Sequence, residues 1–295
     1  MCNLQAIIYW DPSRALSSWS IPLLNRPMLW YGFFFALGFF FSYLVFQALL
    51  KEFLVSYRVR RKTIMKIAEK MSFYVVIGTL IGARLGDVLF YQSPAEFMNN
   101  PLGLFKFWEP GLSSHGGVIG ILVSLWICSL RLRKSYPMLT WVGMLDLLSI
   151  PALLAGGFIR IGNFFNQEIL GTGTQLPWAV IFGHPADGSP LIPRHPVQLY
   201  EALFYFGFFA VLFFLRKRVP KMFRLGKTAG LFFIGTFAFR FLIEFIKLPQ
   251  SALISGHSFL DMGQLLSLPM ILVGFILFFS ENYGLHARFV KGHQG

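Results

Sequence analysis

Several long apolar stretches of this 295-residue sequence contain charged side chains. An ionised group at membrane depth is costly and usually faces the interior of a helix bundle or an aqueous cavity, so these residues are candidates for chemistry. Arginine can bind phosphate through two parallel hydrogen bonds, and histidine can accept a proton near neutral pH. The candidates are Arg84, Asp87, His115, Asp146, Arg160, His195, Glu201, Arg240, Glu244 and Lys247.

The spacing of these residues predicts which of them lie together. Residues three or four positions apart share one face of a helix. Three pairs have that spacing: Arg84 with Asp87, Arg160 with Asn163, and Arg240 with Glu244. The two pairs that contain a carboxylate could equally be structural ion pairs. Lys247, near the end of an apolar stretch, is expected to extend to the membrane surface, and His115 alone could simply cap a helix start.

The composition excludes most soluble classes of protein. The chain is 55% apolar, 18% aromatic and only 13% charged, whereas soluble domains are about one quarter charged. Two cysteines, Cys2 and Cys128, are too few for a disulfide framework or a multi-cysteine metal site. The net charge of +13 comes from basic clusters between apolar runs, so it indicates membrane topology and not nucleic-acid binding.

Seven stretches predict membrane-spanning helices, each of which needs about 20 mostly apolar residues. The third stretch is short. The fourth contains Pro151 followed by Gly156 and Gly157, so a bend or local unwinding is expected there. The stretches run roughly over Met28–Leu50, Ser72–Tyr91, His115–Leu130, Trp141–Asn163, Pro196–Leu215, Thr228–Lys247 and Phe259–Ser280.

The positions of Lys and Arg between these stretches predict their orientation, because cytoplasmic loops are enriched in both. Eighteen lie after the first, third, fifth and seventh stretches, against four in the other connections and the N-terminal segment. We therefore expect an all-α polytopic membrane protein with seven transmembrane helices, its N-terminus outside and its C-terminus cytoplasmic. Residues 1–295 would form a single integral membrane domain, with the outer connection 164–195 as a small periplasmic cap. All candidates except Asp146 then lie in the outer half of the membrane.

Four segments of the chain resemble the prolipoprotein diacylglyceryl transferase family of the bacterial inner membrane. They are Gly82-Ala-Arg-Leu-Gly-Asp87, Ser114-His-Gly-Gly-Val-Ile-Gly120, Arg160-Ile-Gly-Asn-Phe-Phe-Asn-Gln-Glu168 and Arg194-His-Pro-Val-Gln-Leu-Tyr-Glu201. Shorter matches occur at Trp30-Tyr-Gly32, Phe239-Arg-Phe-Leu-Ile-Glu244 and Met262-Gly-Gln-Leu-Leu-Ser-Leu-Pro269. Because the segments follow one another in order from the first span to the last, the resemblance is specific. Gln167 stands where the family usually has Gly, and Val197 where it usually has Ser.

The resemblance implies a reaction and its partners. The diacylglyceryl group of phosphatidylglycerol would pass to the thiol of a lipobox cysteine in a prolipoprotein signal peptide, releasing glycerol phosphate. No metal or other cofactor and no nucleic acid is implied, and the site would face the outer leaflet among membrane lipids. The catalytic residues would be His115, Arg160 and Arg240, and the substrate-binding residues Tyr31, Arg84, Asn163, Glu168, His195, Glu201 and Glu244.

The identity of the base is open at the level of sequence. His115 has a suitable pKa range and glycine neighbours that let a peptide backbone approach. His195 lies at a similar predicted depth. A third possibility is that the combined positive field of the arginines lowers the pKa of the substrate thiol without any side-chain base.

Other classes of membrane protein predict different patterns. A transporter or channel for an anionic or phosphate-bearing solute would place polar groups at both depths or show a pseudo-symmetric repeat. An intramembrane protease would need a Ser–His, paired-Asp or metal signature, and none stands out. A structural scaffold would also be rich in Phe, but it would not explain the polar groups at one depth. The transferase is therefore the preferred hypothesis.

Overall fold

The computed structural model describes residues 8–21, 26–91, 113–219, 225–248 and 260–280. They form two compact units. The first unit contains the described residues up to Val45 and those from Leu148 onward. The second contains the described residues of Phe46–Leu147.

Seven α-helices are present in the described part, and each overlaps one of the seven predicted stretches. Five of them are long and apolar enough to cross a membrane, whereas the apolar segments Gly116–Leu132 and Gly263–Phe279 of the other two are shorter. The helices are α1 (Trp30–Val55), α2 (Arg61–Tyr91), α3 (Ser114–Leu132), α4 (Trp141–Phe165), α5 (Val197–Arg218), α6 (Lys227–Ile243) and α7 (Met262–Phe279). A 3₁₀ turn, Glu244–Ile246, follows α6 directly.

In the second unit, α2 and α3 pack through glycines on both helices. A Cβ atom built on Gly86 would lie 2.6 Å from Cα of Gly116, and one on Gly82 would lie 2.7 Å from Cα of Gly120. Backbone atoms cannot yield to such contacts, so this spacing requires glycine. Stripes of small residues that bring two backbones together are typical of helix pairs in membranes.

In the first unit, α4 is uninterrupted from Trp141 to Phe165 although it contains Pro151. The expected local unwinding is therefore wrong. The carbonyl of Pro151 accepts a hydrogen bond from Ser42 Oγ of α1 at 2.8 Å. Gly157 lets the ring of Phe206 on α5 pack directly against α4. Contacts from α1 and α5 thus stabilise the helix around the proline.

The described part is mostly helical, as predicted, but four short strands, which the sequence did not predict, occur outside the helices. Strand β1 (Ile8–Trp10) pairs in parallel with β4 (Val180–Phe182), and β2 (Ala15–Ile21) pairs antiparallel with β3 (Arg26–Leu29). Such short strands carry no readable periodicity. β1 and β4 belong to a small apolar core formed by Trp10, Phe164, Phe165, Leu170, Val180, Phe182, Leu199 and Leu248.

Candidate functional site

A buried network of opposite charges joins α4, α5 and the 3₁₀ turn that follows α6. Nε of Arg160 on α4 lies 3.0 Å from Oε2 of Glu201 on α5. The other oxygen of Glu201, Oε1, accepts a hydrogen bond from Nζ of Lys247 at 2.8 Å. Lys247 Nζ is also 3.6 Å from Oε2 of Glu244. The side chains of Glu201 and Lys247 are 1% and 4% exposed, respectively, so both charges are compensated inside the protein and not by water.

Backbone pairing explains why Lys247 is buried. The N–H of Thr172 donates to the carbonyl of Ile246, and the N–H of Leu248 donates to the carbonyl of Leu170, both at 2.9 Å. This pairing holds the end of the 3₁₀ turn against the start of the connection between α4 and α5. The expectation that Lys247 extends to the membrane surface is therefore wrong. The sequence placed it near the end of an apolar stretch but contained no sign of this non-local pairing.

A second chain of polar contacts runs from Arg160 along α4. Nη1 of Arg160 donates to Oδ1 of Asn163 at 3.0 Å, which confirms the predicted pair. Nδ2 of Asn163 then donates to Oε1 of Glu168 at 2.6 Å. Nε2 of Gln198 on α5 donates to the backbone carbonyl of Glu168 at 2.7 Å, while its buried Oε1 has no hydrogen-bond partner within the described ranges. Asn163 thus fixes both the guanidinium and the carboxylate.

Glu168 lies in a turn with an unusual backbone. Its neighbours Gln167 and Ile169 have φ angles of 54° and 60°, in the left-handed region that favours glycine and is a genuine outlier for a β-branched residue. Non-glycine residues in this region cost about 1–3 kcal/mol each and cluster at functional sites. The sequence resemblance places glycine at position 167 in most related chains, and the left-handed φ gives a physical reason for that preference.

Arg240 is half-buried and has no ion-pair partner in the part of the chain that the structure describes. The expected pair between Arg240 and Glu244 is wrong. α6 ends at Ile243, and Glu244 begins a 3₁₀ turn, in which residues three apart eclipse one another. Glu244 therefore lies beside Lys247. The Arg240 guanidinium has no carboxylate to neutralise it within this network.

The buried Tyr205 lies near both Arg160 and Arg240. Its hydroxyl interacts electrostatically with both Arg160 and Arg240, and also with Glu201. Tyr205 follows Glu201 by one helical turn on α5, and Gln198 precedes Glu201 by three residues, so all three share one helix face. Tyr205 and Gln198 are uncharged and are not among the predicted site residues, but this spacing could have identified them.

Tyr31 and His195 lie in the same unit. Tyr31 packs on Gly162, where a Cβ atom would lie 3.1 Å from its ring, and it interacts electrostatically with Glu168 and Arg160. His195 has a different set of contacts. Its Nδ1 is 3.4 Å from the hydroxyl of Tyr200, which accepts a hydrogen bond from Nε1 of Trp178 at 2.7 Å.

Two predicted site residues, Arg84 and His115, belong to the second unit. Arg84 and Asp87 are buried on α2, with Nη1 and Oδ2 3.9 Å apart, as their spacing predicted. His115 is in the first turn of α3, but its side chain lies outside the described residues. Ser113 Oγ accepts from the N–H of Gly116 at 3.2 Å, so Ser113 caps this helix. The capping role considered for His115 is thus taken by Ser113.

A third polar cluster joins β1 to the connection between α4 and α5. Nδ1 of His184 lies 2.6 Å from Oδ1 of Asp11, and the hydrogen bond from His184 holds the pKa of Asp11 below its ordinary value. Oδ1 of Asp11 also accepts from Nε2 of Gln167 at 3.3 Å, and Oε1 of Gln167 accepts from the N–H of His184 at 2.7 Å. Gln167 is fully buried.

Known proteins match nearly the whole chain. A family model described as prolipoprotein diacylglyceryl transferase matches residues 19–280. Three relatives are each named phosphatidylglycerol--prolipoprotein diacylglyceryl transferase. The one from Protochlamydia amoebophila is 47% identical over 72% of this chain and 56% of its own length. The one from Tolumonas auensis is 40% identical over 92% of this chain and 96% of its own. The one from Chlamydia trachomatis is 40% identical over 91% and 96%, respectively. The chain therefore belongs to the prolipoprotein diacylglyceryl transferase family.

Proposed function

We propose that this protein transfers the diacylglyceryl group of phosphatidylglycerol to the lipobox cysteine of prolipoproteins in a bacterial inner membrane. The observation that carries the proposal is the match over residues 19–280 to a family and to relatives that bear this activity in their names. Five helices apolar enough to cross a membrane agree with a lipid substrate. A transporter for an anionic solute is not supported.

The reaction defines what the site must do. The cysteine sulfur attacks the sp³ carbon that joins the diacylglyceryl group to phosphate, a C–S bond forms, and the C–O bond to phosphate breaks. The thiol proton leaves to a base, and the leaving group departs as glycerol phosphate. Phosphatidylglycerol carries one negative charge, and its phosphate gains more as the C–O bond breaks. Cations at the phosphate therefore stabilise the transition state more than the ground state.

Arg160 and Arg240 are the proposed phosphate ligands. Arg240 has a guanidinium without an ion-pair partner among the described residues. Arg160 contacts Glu201, Asn163 and Tyr205, and a guanidinium has five N–H donors, so donors remain for a substrate oxygen. Their common neighbour Tyr205 supports a site between them. Both remain charged in a poorly hydrated cavity, where their planar forks match phosphate oxygens.

The other residues of the network are proposed to hold these groups in place. Glu201 fixes Arg160, and Lys247 compensates the second oxygen of Glu201. Asn163 and Tyr31 would orient the head group, with Glu168 accepting the Asn163 amide. We propose that Glu244, Arg84 and His195 also bind the substrate.

We propose His115 as the base that takes the thiol proton. The pH profile of wild type, His115→Gln and His195→Gln tests this choice. If His115 is the base, its Gln variant loses most activity at neutral pH and recovers part of it as rising pH ionises the substrate thiol unaided. His195→Gln should keep the shape of the wild-type profile. Full neutral-pH activity of His115→Gln would favour activation of the thiol by the arginine field.

We further propose seven crossings, an N-terminus outside and a site toward the outer leaflet. The excess of Lys and Arg in alternate connections supports this orientation. Residues 164–195 would then cover the outer end of the first unit as a small periplasmic cap. A cysteine introduced at Gly188 should react with an impermeant reagent from outside, and a tag after Gly295 should be cytoplasmic. Labelling of position 188 from the cytoplasm would overturn this topology.

The activity itself is tested with purified protein in phosphatidylglycerol-containing micelles and a lipobox peptide. Mass spectrometry should detect a diacylglyceryl thioether on the peptide together with free glycerol phosphate. A peptide with Ser in place of the lipobox Cys is the matched control, because its hydroxyl is a far weaker nucleophile at neutral pH. Absence of the thioether with intact, folded protein would refute the proposed function.

A further inference from the structure

Gln167 connects three parts of the first unit through two side-chain hydrogen bonds. Its Nε2 donates to Asp11, next to β1, at 3.3 Å, and its Oε1 accepts the backbone N–H of His184, two residues after β4, at 2.7 Å. Its own backbone carbonyl accepts the N–H of Ala186 at 2.9 Å. We refer to Asp11, Gln167 and His184 as the Gln167 latch.

The backbone of Gln167 has an unusual conformation that its side-chain hydrogen bonds stabilise. A φ of 54° is a conformation that glutamine adopts reluctantly. A residue held there needs surroundings that over-determine it, and the two hydrogen bonds of the fully buried side chain supply them. The side chain therefore does more than fill space at the end of α4.

The next residue along the chain is Glu168, whose carboxylate accepts the Asn163 amide at 2.6 Å. Gln167 and Ile169, both with positive φ, determine where this turn presents Glu168. The N–H of Glu168 itself donates to the carbonyl of Asn163 at 3.1 Å. A small rotation of the turn would separate Glu168 from Asn163 and so release a contact of the Arg160 side chain.

We propose that Gln167 is a positioning residue, which holds the Glu168 turn in register with Asn163 and Arg160 by tying it to Asp11 and the backbone of His184. The proposal rests on the proposed transferase function, because Glu168 and Asn163 act there on the head group. The latch residues Asp11, Gln167 and His184 would then act on the substrate site indirectly, through the position of the Glu168 turn.

An exchange of amide and carboxylate tests the latch. Gln167→Glu keeps the size and the acceptor toward His184 but replaces the donor toward Asp11 with a second carboxylate. With the lipobox-peptide assay, we expect kcat to fall at least about tenfold with little change in the KM for peptide. Adding Asp11→Asn restores a donor–acceptor pair with the roles reversed, and kcat should return to within about threefold of wild type.

A control variant and the activity of the wild type distinguish failure of the latch from failure of the proposed function. Gln175→Glu adds the same charge at an exposed position of the same connection and should leave kcat unchanged. Wild-type kcat in Gln167→Glu, or failure of Asp11→Asn to rescue folded Gln167→Glu protein, would overturn the latch. If wild type forms no thioether, the failure is that of the proposed function; if wild type is active and the exchange has no effect, only the latch fails.

Discussion

Replacement of Lys247 by Met removes the cation that two buried carboxylates share. Nζ of Lys247 is 2.8 Å from Glu201 and 3.6 Å from Glu244. At an effective dielectric constant of about 20, the gross attractions at these distances are roughly 6 and 5 kcal/mol. Burial of the ammonium offsets several kcal/mol of this gain. Met has a similar length but leaves Glu244 without any cation in the described network and Glu201 with Arg160 alone.

Breaking a buried ion pair on one side costs about 3–5 kcal/mol, because the remaining charge stays buried and uncompensated. We expect Lys247→Met to lower the free energy of unfolding by that amount. The assay is SDS-induced unfolding in mixed micelles, followed by tryptophan fluorescence. Lys217→Met, at an exposed lysine near the end of α5, is the control and should change the free energy by less than about 0.5 kcal/mol.

A double-mutant cycle with Glu201→Gln isolates the contact from general packing effects. Once Glu201 is neutral, removal of the ammonium should cost less, and we expect a coupling energy of about 1–3 kcal/mol between the two substitutions. Additive effects within about 0.5 kcal/mol would refute the shared-cation interpretation. So would a Lys247→Met protein as stable as the wild type.

Three further predictions follow from other parts of the molecule. Gly86→Ala puts a Cβ atom 2.6 Å from Cα of Gly116 and should cost about 1–3 kcal/mol in the same unfolding assay, whereas Gly117→Ala, with its nearest contact at 3.7 Å, should cost much less; equal costs would contradict the packing argument. Because the hydrogen bond from His184 lowers the pKa of Asp11, the pair stabilises the fold above pH 3.8, and this contribution is lost as pH falls through the folded-state pKa. His184→Ala should raise the Asp11 pKa measured by carboxyl NMR, and an unchanged titration would show that the pair does not form. Arg160→Lys and Arg240→Lys keep the charge but lose the planar fork, so kcat/KM should fall at least about tenfold, roughly 1.4 kcal/mol; near-normal turnover of both would make them structural residues.

Local patterns predicted the parts of this protein that depend on helical phase. Arg160 contacts Asn163 and Arg84 lies near Asp87 because three residues along a helix return to nearly the same face. Hydropathy found the seven helices because their apolar runs are long. Both kinds of information are contained in a window of about 20 residues.

The failures have other causes. Arg240 and Glu244 separate because α6 passes into a 3₁₀ turn, a change that short-range spacing does not signal. Lys247 is buried because residues 246–248 pair with residues 170–172, and β1 exists because it finds β4. The burial of Lys247 and the formation of β1 each depend on a partner segment more than 70 positions away in the chain. Local spacing and hydropathy in one sequence do not show which distant segments will pair.

The parallel pairing of β1 with β4 also sets an order of events during synthesis. Asp11 and His184 are 173 positions apart, so the N-terminal segment leaves the ribosome long before its partner strand exists. The second unit, which is encoded between them, can fold during this interval. The first unit closes only after residues 180–182 and the 246–248 segment have been made. A truncated chain that stops before α6 would therefore contain all three residues of the Gln167 latch but would leave the buried carboxylate of Glu201 without Lys247, and membrane quality control would recognise it as an incomplete protein.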